Sequence, residues 1–279
     1  MVAPVQALLI LVIALPSIYV FWLSLVHSSY GQAPVWAGLE NYRTVLGDRY
    51  FWRALVNTLL LVNAVVYLEL AVALGIALLF AGGVPVRWLL VTIVLAPYAV
   101  SEVVAITIWR YLVDPEIGPI THGLAALGLP DLDWTVSGAA ALVVIGLISM
   151  WMHLPFTFIL LYTALLSIPG ELHEAARIDG AGEWRQFWHV TLPVLTPAIL
   201  VALLFRYVFG FRIFSEVWLF TQGGPVRSTE VLALYLYVTG FRYGDFGAAA
   251  AIGWLMLLAS LLIALAYLRR VYRTMFSDA

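Results

Sequence analysis

The chain contains no cysteine and, among its 14 basic residues, no lysine. Without cysteine there is no disulfide, no thiolate-held metal and no thiol nucleophile. Charge of either sign is scarce: 11% of 279 residues are charged and the net charge is -2, which leaves no basic surface suited to nucleic acid. Also missing is a phosphate-binding loop of the form GxxxxGK[ST], so ATP hydrolysis is not expected of this chain. There is no HExxH, serine elbow or carboxylate pair beside a histidine cluster. His122, His153, His173 and His189 fall on different expected faces and compartments. No metal or other cofactor is therefore expected here. No internal repeat or low-complexity linker interrupts the sequence, and residues 1–279 read as one domain.

What is abundant is apolar surface. Hydrophobic residues make up 63% of the chain and the mean hydropathy is +0.99, the composition of an integral membrane protein. Crossing roughly 30 Å of hydrocarbon takes about 20 mostly apolar residues. Six runs qualify, at 3–26, 54–81, 88–110, 138–166, 198–220 and 246–268. The expected fold is an all-α, polytopic membrane protein with six transmembrane helices. The first run lacks a basic leader, is too long for a signal segment, and has no small-residue cleavage site before Tyr30, so it reads as a retained helix.

Orientation follows from the arginines. With the N-terminus inside, the inner segments hold Arg87, Arg177, Arg185, Arg269, Arg270 and Arg273, and the outer ones Arg43, Arg49, Arg53, Arg227 and Arg242. That count is nearly balanced. Residues directly flanking a span weigh most, and the Arg269, Arg270 and Arg273 cluster after the last run favours an inner C-terminus. The loop carrying Asp114, Glu116, Asp131 and Asp133, with no arginine after Arg110, suits the outside. Six spans then place both termini in the cytoplasm, together with the segment at about 167–197.

That segment is a polar block in a lipid-soluble chain. Pro169, Gly170 and Glu171 read as a helix start, since proline tolerates the first turn and an acid there complements the helix dipole. Leu172, Ala175 and Ala176 share one face, small enough to let a backbone sit close inside a partner's cleft. Asp179-Gly180-Ala181-Gly182 supplies a sharp turn before a second short helix near Glu183. Without further context this is an ordinary surface hairpin, and Glu174 a solvated charge.

The spacing is more particular than the hairpin. Glu174-Ala175-Ala176, three residues, Gly180, nine residues, then Val190-Thr191-Leu192-Pro193 resembles the cytoplasmic EAA loop of ABC importer permeases, departing from it in Val190 for isoleucine. Gly38-Leu39-Glu40-Asn41-Tyr42, Phe51 through Thr58, Thr221-Gln222-Gly223-Gly224-Pro225 and Asp245-Phe246-Gly247-Ala248-Ala249 are similar, in order, to the sugar-importer branch of maltose, trehalose and glycerol-phosphate type. The resemblance implies a type I ABC importer permease core in a bacterial cell membrane. It implies that Glu174, Ala175, Ala176, Asp179 and Gly180 couple to an ABC ATPase dimer, where ATP and magnesium bind. It further implies pairing with a second six-span permease subunit, and a sugar-binding protein outside that delivers a carbohydrate, a di- or oligosaccharide.

Trp151, midway along the fourth run, and Phe209, midway along the fifth, match the positions where maltose-type permeases face their sugar, with Pro155 in register. Aromatic faces suit sugar rings, and midway is the depth of importer sites. Taken alone, each aromatic is a helix-packing residue. His153, Phe156, Arg206, Gly210 and Ile213 complete the expected substrate pathway; Gly210 and Ile213 stand where the maltose-type proteins carry polar amides. Arginine is costly in lipid, so Arg206 and Arg212 should face a cavity or a partner. Arg212 and Glu216, four apart, have pairing as their plainer reading. The rival function is a secondary transporter driven by an ion gradient, with Glu69, Glu102 and His153 as ion or proton sites.

Overall fold

In lipid a backbone N–H or C=O finds its partner only within its own segment, so long apolar runs become helices. The computed structural model describes residues 3–128 and 133–276. Asp131, counted above in the outer acidic loop, lies outside the described residues. In chain order the elements are α1 (Ala3–Ser24), a small antiparallel hairpin of β1 (Val26–His27) and β2 (Val35–Trp36), α2 (Glu40–Gly47), α3 (Arg49–Ala81), α4 (Arg87–Leu95), α5 (Glu102–Leu112) and α6 (Pro119–Ala126). There follow α7 (Gly138–Leu166), α8 (Gly170–Ile178), α9 (Glu183–Gln186), α10 (Leu192–Gly210), α11 (Ser215–Phe220), α12 (Leu232–Tyr237) and α13 (Phe246–Phe276).

Among the described residues, four helical stretches are long and apolar enough to cross a membrane: Arg49–Ala81, Gly138–Leu166, Glu183–Gly210 and Phe246–Leu265. A bent pair, Arg87–Ala99 with Glu102–Leu112, makes a fifth if taken as one span, and α1 adds the shorter apolar stretch Leu8–Ser24. Helix starts are set by side chains that accept otherwise orphaned N–H groups. Asp48 accepts from Tyr50 N at 2.8 Å to open α3, and Ser137 accepts from Ala140 N at 3.3 Å to open α7.

Helices α3 and α7 form the spine. Towards one end Leu61 and Val65 pack with Val144, Ile145 and Ile148; towards the other Ala73, Ala77 and Phe80 pack with Phe158, Leu161 and Leu165. Gly146 allows close approach, since a Cβ there would stand 3.4 Å from a Leu61 methyl.

Two expected spans are redrawn. The run 88–110 is not one helix: after Leu95 the chain tightens into a 3₁₀ turn at Ala96–Ala99, and α5 leaves at 103°. Pro97 has no N–H to continue the ladder, and Ser101 caps the new helix. The run 198–220 is displaced toward the N-terminal side. Its helix runs from Glu183 through a π turn at Phe187–Thr191, just before Pro193, and ends at Gly210; residues 211–214 break it before α11.

Candidate functional site

Both breaks open onto one cavity. Its 440 Å³ are lined by residues of the 3₁₀ turn (Tyr98), α5 (Glu102), α7 (Ser149, His153, Phe156), α10 (Arg206, Phe209, Gly210), the 211–214 break (Arg212, Ile213, Phe214) and α11 (Ser215, Glu216). Such a volume is in the range that takes a small ligand. On α7 the positions Ser149, His153 and Phe156 follow the i, i+4, i+7 spacing of one helical face. Of the expected pathway residues, His153, Phe156, Arg206, Phe209, Gly210 and Ile213 all meet here. Trp151 does not line this cavity. Residues two apart on a helix face different ways, and with His153 turned inward Trp151 packs instead against Trp109, ring centroids 5.8 Å apart. Tyr98, Ser149, Phe214 and Ser215 went unforeseen. Ser149 was legible as the residue four before His153; Tyr98 was not, because it depends on the bend at Pro97.

The cavity wall is built around a buried ion pair. Glu69 on α3 is fully buried, and its Oε2 accepts from Arg206 Nε at 2.9 Å and Nη2 at 2.8 Å, while Thr157 on α7 donates to Oε1. Three helices are tied at one carboxylate. Satisfied on both oxygens, Glu69 is committed to Arg206, so the ion-site role of the rival reading loses its most buried member. The expected partnership of Arg212 with Glu216 is absent. Glu216, 4% exposed, accepts from Ser149 Oγ at 3.1 Å, and among the described residues Arg212 has no ion-pair partner. His153 donates from Nδ1 to the Ser149 carbonyl at 2.8 Å, which leaves Nε2 as its free ring nitrogen. Phe156 meets Phe205 edge to face at 5.9 Å and Phe205 stacks on Phe209 at 6.2 Å, so apolar rings stand beside donors and acceptors.

The segment 167–197 forms a hairpin at the end of α7. Pro169 is the N-cap of α8 rather than its first residue, and no residue of α8 is buried. Gly180, at φ +76°, ends the helix in the left-handed conformation that glycine adopts freely. Around it the Ala181 N–H reaches the Ala176 carbonyl at 2.9 Å and the Gly180 N–H the Arg177 carbonyl at 3.0 Å, the paired bonds of a Schellman cap. Gln186 Nε2 donates to the Ala181 carbonyl at 2.7 Å and fixes α9 against the turn. Glu174, Ala175 and Asp179 are exposed and Ala176 half-exposed, and the hairpin shows bare apolar side chains, Ile178 at 86% and Trp184 at 74%.

Residues 70–276 match the family described as binding-protein-dependent transport system inner membrane component. The chain belongs to that family. Among curated relatives of this inner membrane component, a diacetylchitobiose uptake system permease protein of Streptomyces coelicolor is 36% identical over 85% of this chain and 74% of its own length. A trehalose/maltose transport system permease protein of Thermococcus litoralis is 32% identical over 96% and 91%, respectively. A sulfoquinovosyl glycerol transport system permease protein of Agrobacterium fabrum is 33% identical over 96% and 88%. In fold, the component superposes on a chain from the crystal structure of a bacterial ABC transporter involved in the import of the acidic polysaccharide alginate. The TM-score is 0.84 at 23% identity, covering 98% of this chain and 94% of that one.

Proposed function

We propose that this permease is one membrane half of an ATP-driven importer of di- or oligosaccharides. It completes six spans with α1 and the bent α4–α5 pair, keeps both termini in the cytoplasm, and pairs with a second six-span permease around the pathway. A binding protein outside hands over the sugar, and a separate ATPase dimer inside binds ATP and magnesium. The cavity supports the carbohydrate reading through its mixture of ring faces at Phe156 and Phe209 with hydrogen-bonding groups at His153, Arg206, Arg212 and Glu102. Three relatives named for sugar transport point the same way.

The observation that carries the proposal is the bare hairpin. A capped turn at Gly180 holds α8 and α9 rigidly while Ile178 and Trp184 stay uncovered, an arrangement suited to insertion into a cleft. Closure of the ATPase dimer would move the hairpin as a lever, and the spans would exchange an inward-open cavity for an outward-open one. The test is mass spectrometry of chains that co-purify after mild solubilisation from the native membrane, with sugar uptake measured in parallel. An ABC ATPase and a second permease are expected, the ATPase being lost in Gly180→Leu. Recovery of this chain alone, in a preparation that transports under an ion gradient, would overturn the proposal.

A further inference from the structure

The loop between α11 and α12 holds backbone strain. Gln222, Val226 and Arg227 adopt φ of 54°, 48° and 58°, the left-handed region, without being glycine. For a β-branched valine this is an outlier. Such backbone persists only where the surroundings over-determine it. Here they do. Arg227 Nε and Nη2 grip the two Glu230 carboxylate oxygens at 2.6 and 2.9 Å, and the guanidinium lies 3.9 Å over the Tyr50 ring. Asn57 on α3 donates to the Ser228 and Glu230 carbonyls at 2.8 and 2.9 Å. Thr229 Oγ1 closes on the Gly224 carbonyl at 2.8 Å, and Thr58 Oγ1 accepts from Leu232 N at 2.9 Å.

Gln222 and Val226 are the exposed residues of this loop, and Val226 is the apolar one. Val226 is 89% exposed, whereas Thr229 and Glu230 behind it are at 0% and 4%. An apolar residue fixed in place by a polar clamp loses little freedom when a partner covers it, which favours binding. Its address selects the partner. Ser228 packs against Gly138, the first residue of α7, so closely that a Cβ there would stand 2.3 Å from Ser228 Oγ. The α8–α9 hairpin follows the other end of the same 29-residue helix, about 43 Å away at 1.5 Å per residue. The loop therefore lies on the side opposite the hairpin.

We propose that Val226 is a preorganised apolar knob on which the extracytoplasmic binding protein seats, through a shallow apolar depression on that protein. This rests on the importer reading. The knob acts as an anchor of the interface, with the clamp behind it as support.

The test measures ATPase activity of the assembled complex in nanodiscs against binding-protein concentration. Val226→Asp is expected to raise the half-saturating concentration about tenfold, the cost of losing a buried anchor. Val226→Gly removes the knob and relieves the strained φ together. It is expected to keep or raise the melting temperature of the complex while raising the half-saturating concentration about fivefold. Half-saturation within about twofold of the wild type in both variants would overturn the proposal. So would loss of the second permease from the purified Val226→Asp complex, which would assign the knob to the contact between permeases. A wild-type complex that no binding protein stimulates would instead overturn the importer reading.

Discussion

A single carboxylate decides much of the cavity's chemistry. Glu69 neutralises Arg206 from below, so the guanidinium faces the cavity as a directed donor instead of a free charge. Removing one member of a buried pair strands the other, which costs about 3–5 kcal/mol. Glu69→Leu is therefore expected to lower the melting temperature of the detergent-solubilised complex sharply. Adding Arg206→Met should recover most of the loss, because replacing both charges with apolar groups is close to neutral. Equal melting temperatures for the single and double variants would contradict this. Arg206 was legible as a costly residue in lipid but its partner was not, since Glu69 lies 137 positions away. The pairing legible locally, Arg212 with Glu216, is the one that does not form. Local spacing measures opportunity, and a cavity opening between α10 and α11 removes it.

Element boundaries divide in the same way. Where a boundary is written in neighbouring residues it was legible: the run 138–166 coincides with α7, whose start Ser137 caps, and the run 54–81 ends with α3. Where a distant contact writes it, it was not. Helix α10 stops at Gly210 against α3, and a Cβ on Gly210 would stand 2.9 Å from Val62 Cγ1. Gly210→Ala is thus expected to destabilise the protein by about 1–3 kcal/mol through overpacking, and Val62→Ala to restore it in the double variant, as read by thermal unfolding. Gly180 gives the opposite case. Nothing lies within 4 Å of where its Cβ would be, so a substitution there meets backbone strain alone, about 1–2 kcal/mol at φ +76°. Gly180→Leu should leave the melting of the transmembrane helices almost unchanged while ATP-driven uptake is lost. A matching loss of stability would assign Gly180 to the fold and not to coupling.

At the scale of the molecule, the breaks and the ties sort the helices into parts that move together and parts that do not. Helices α3, α7 and α10 share the Glu69, Thr157 and Arg206 network, and Tyr207 donates to Asn63 Oδ1 at 2.7 Å as a second tie between α10 and α3. Helix α5 meets α4 across the 103° bend and α11 meets α10 across residues 211–214; both also pack on α7, through Ala105, Ile106, Val217 and Phe220 and the Ser149–Glu216 bond, contacts that a swing of α5 and α11 has to slide or release. Both breaks border the cavity. A change from inward-open to outward-open access therefore needs no rupture of the buried ion pair if α5 and α11 swing about these breaks against a fixed α3–α7–α10 frame. The cysteine-free chain makes this measurable, because within it spin labels attach only where cysteine is introduced. With labels at the exposed positions Leu60 on α3 and Val201 on α10, the distance is expected to stay constant between nucleotide-free and ATP-bound complexes. With labels at Ile108 on α5 and Val201, it is expected to shift by several ångströms. Movement of the first pair as large as that of the second would mean that the ion pair opens during the cycle and that the frame is itself the moving part.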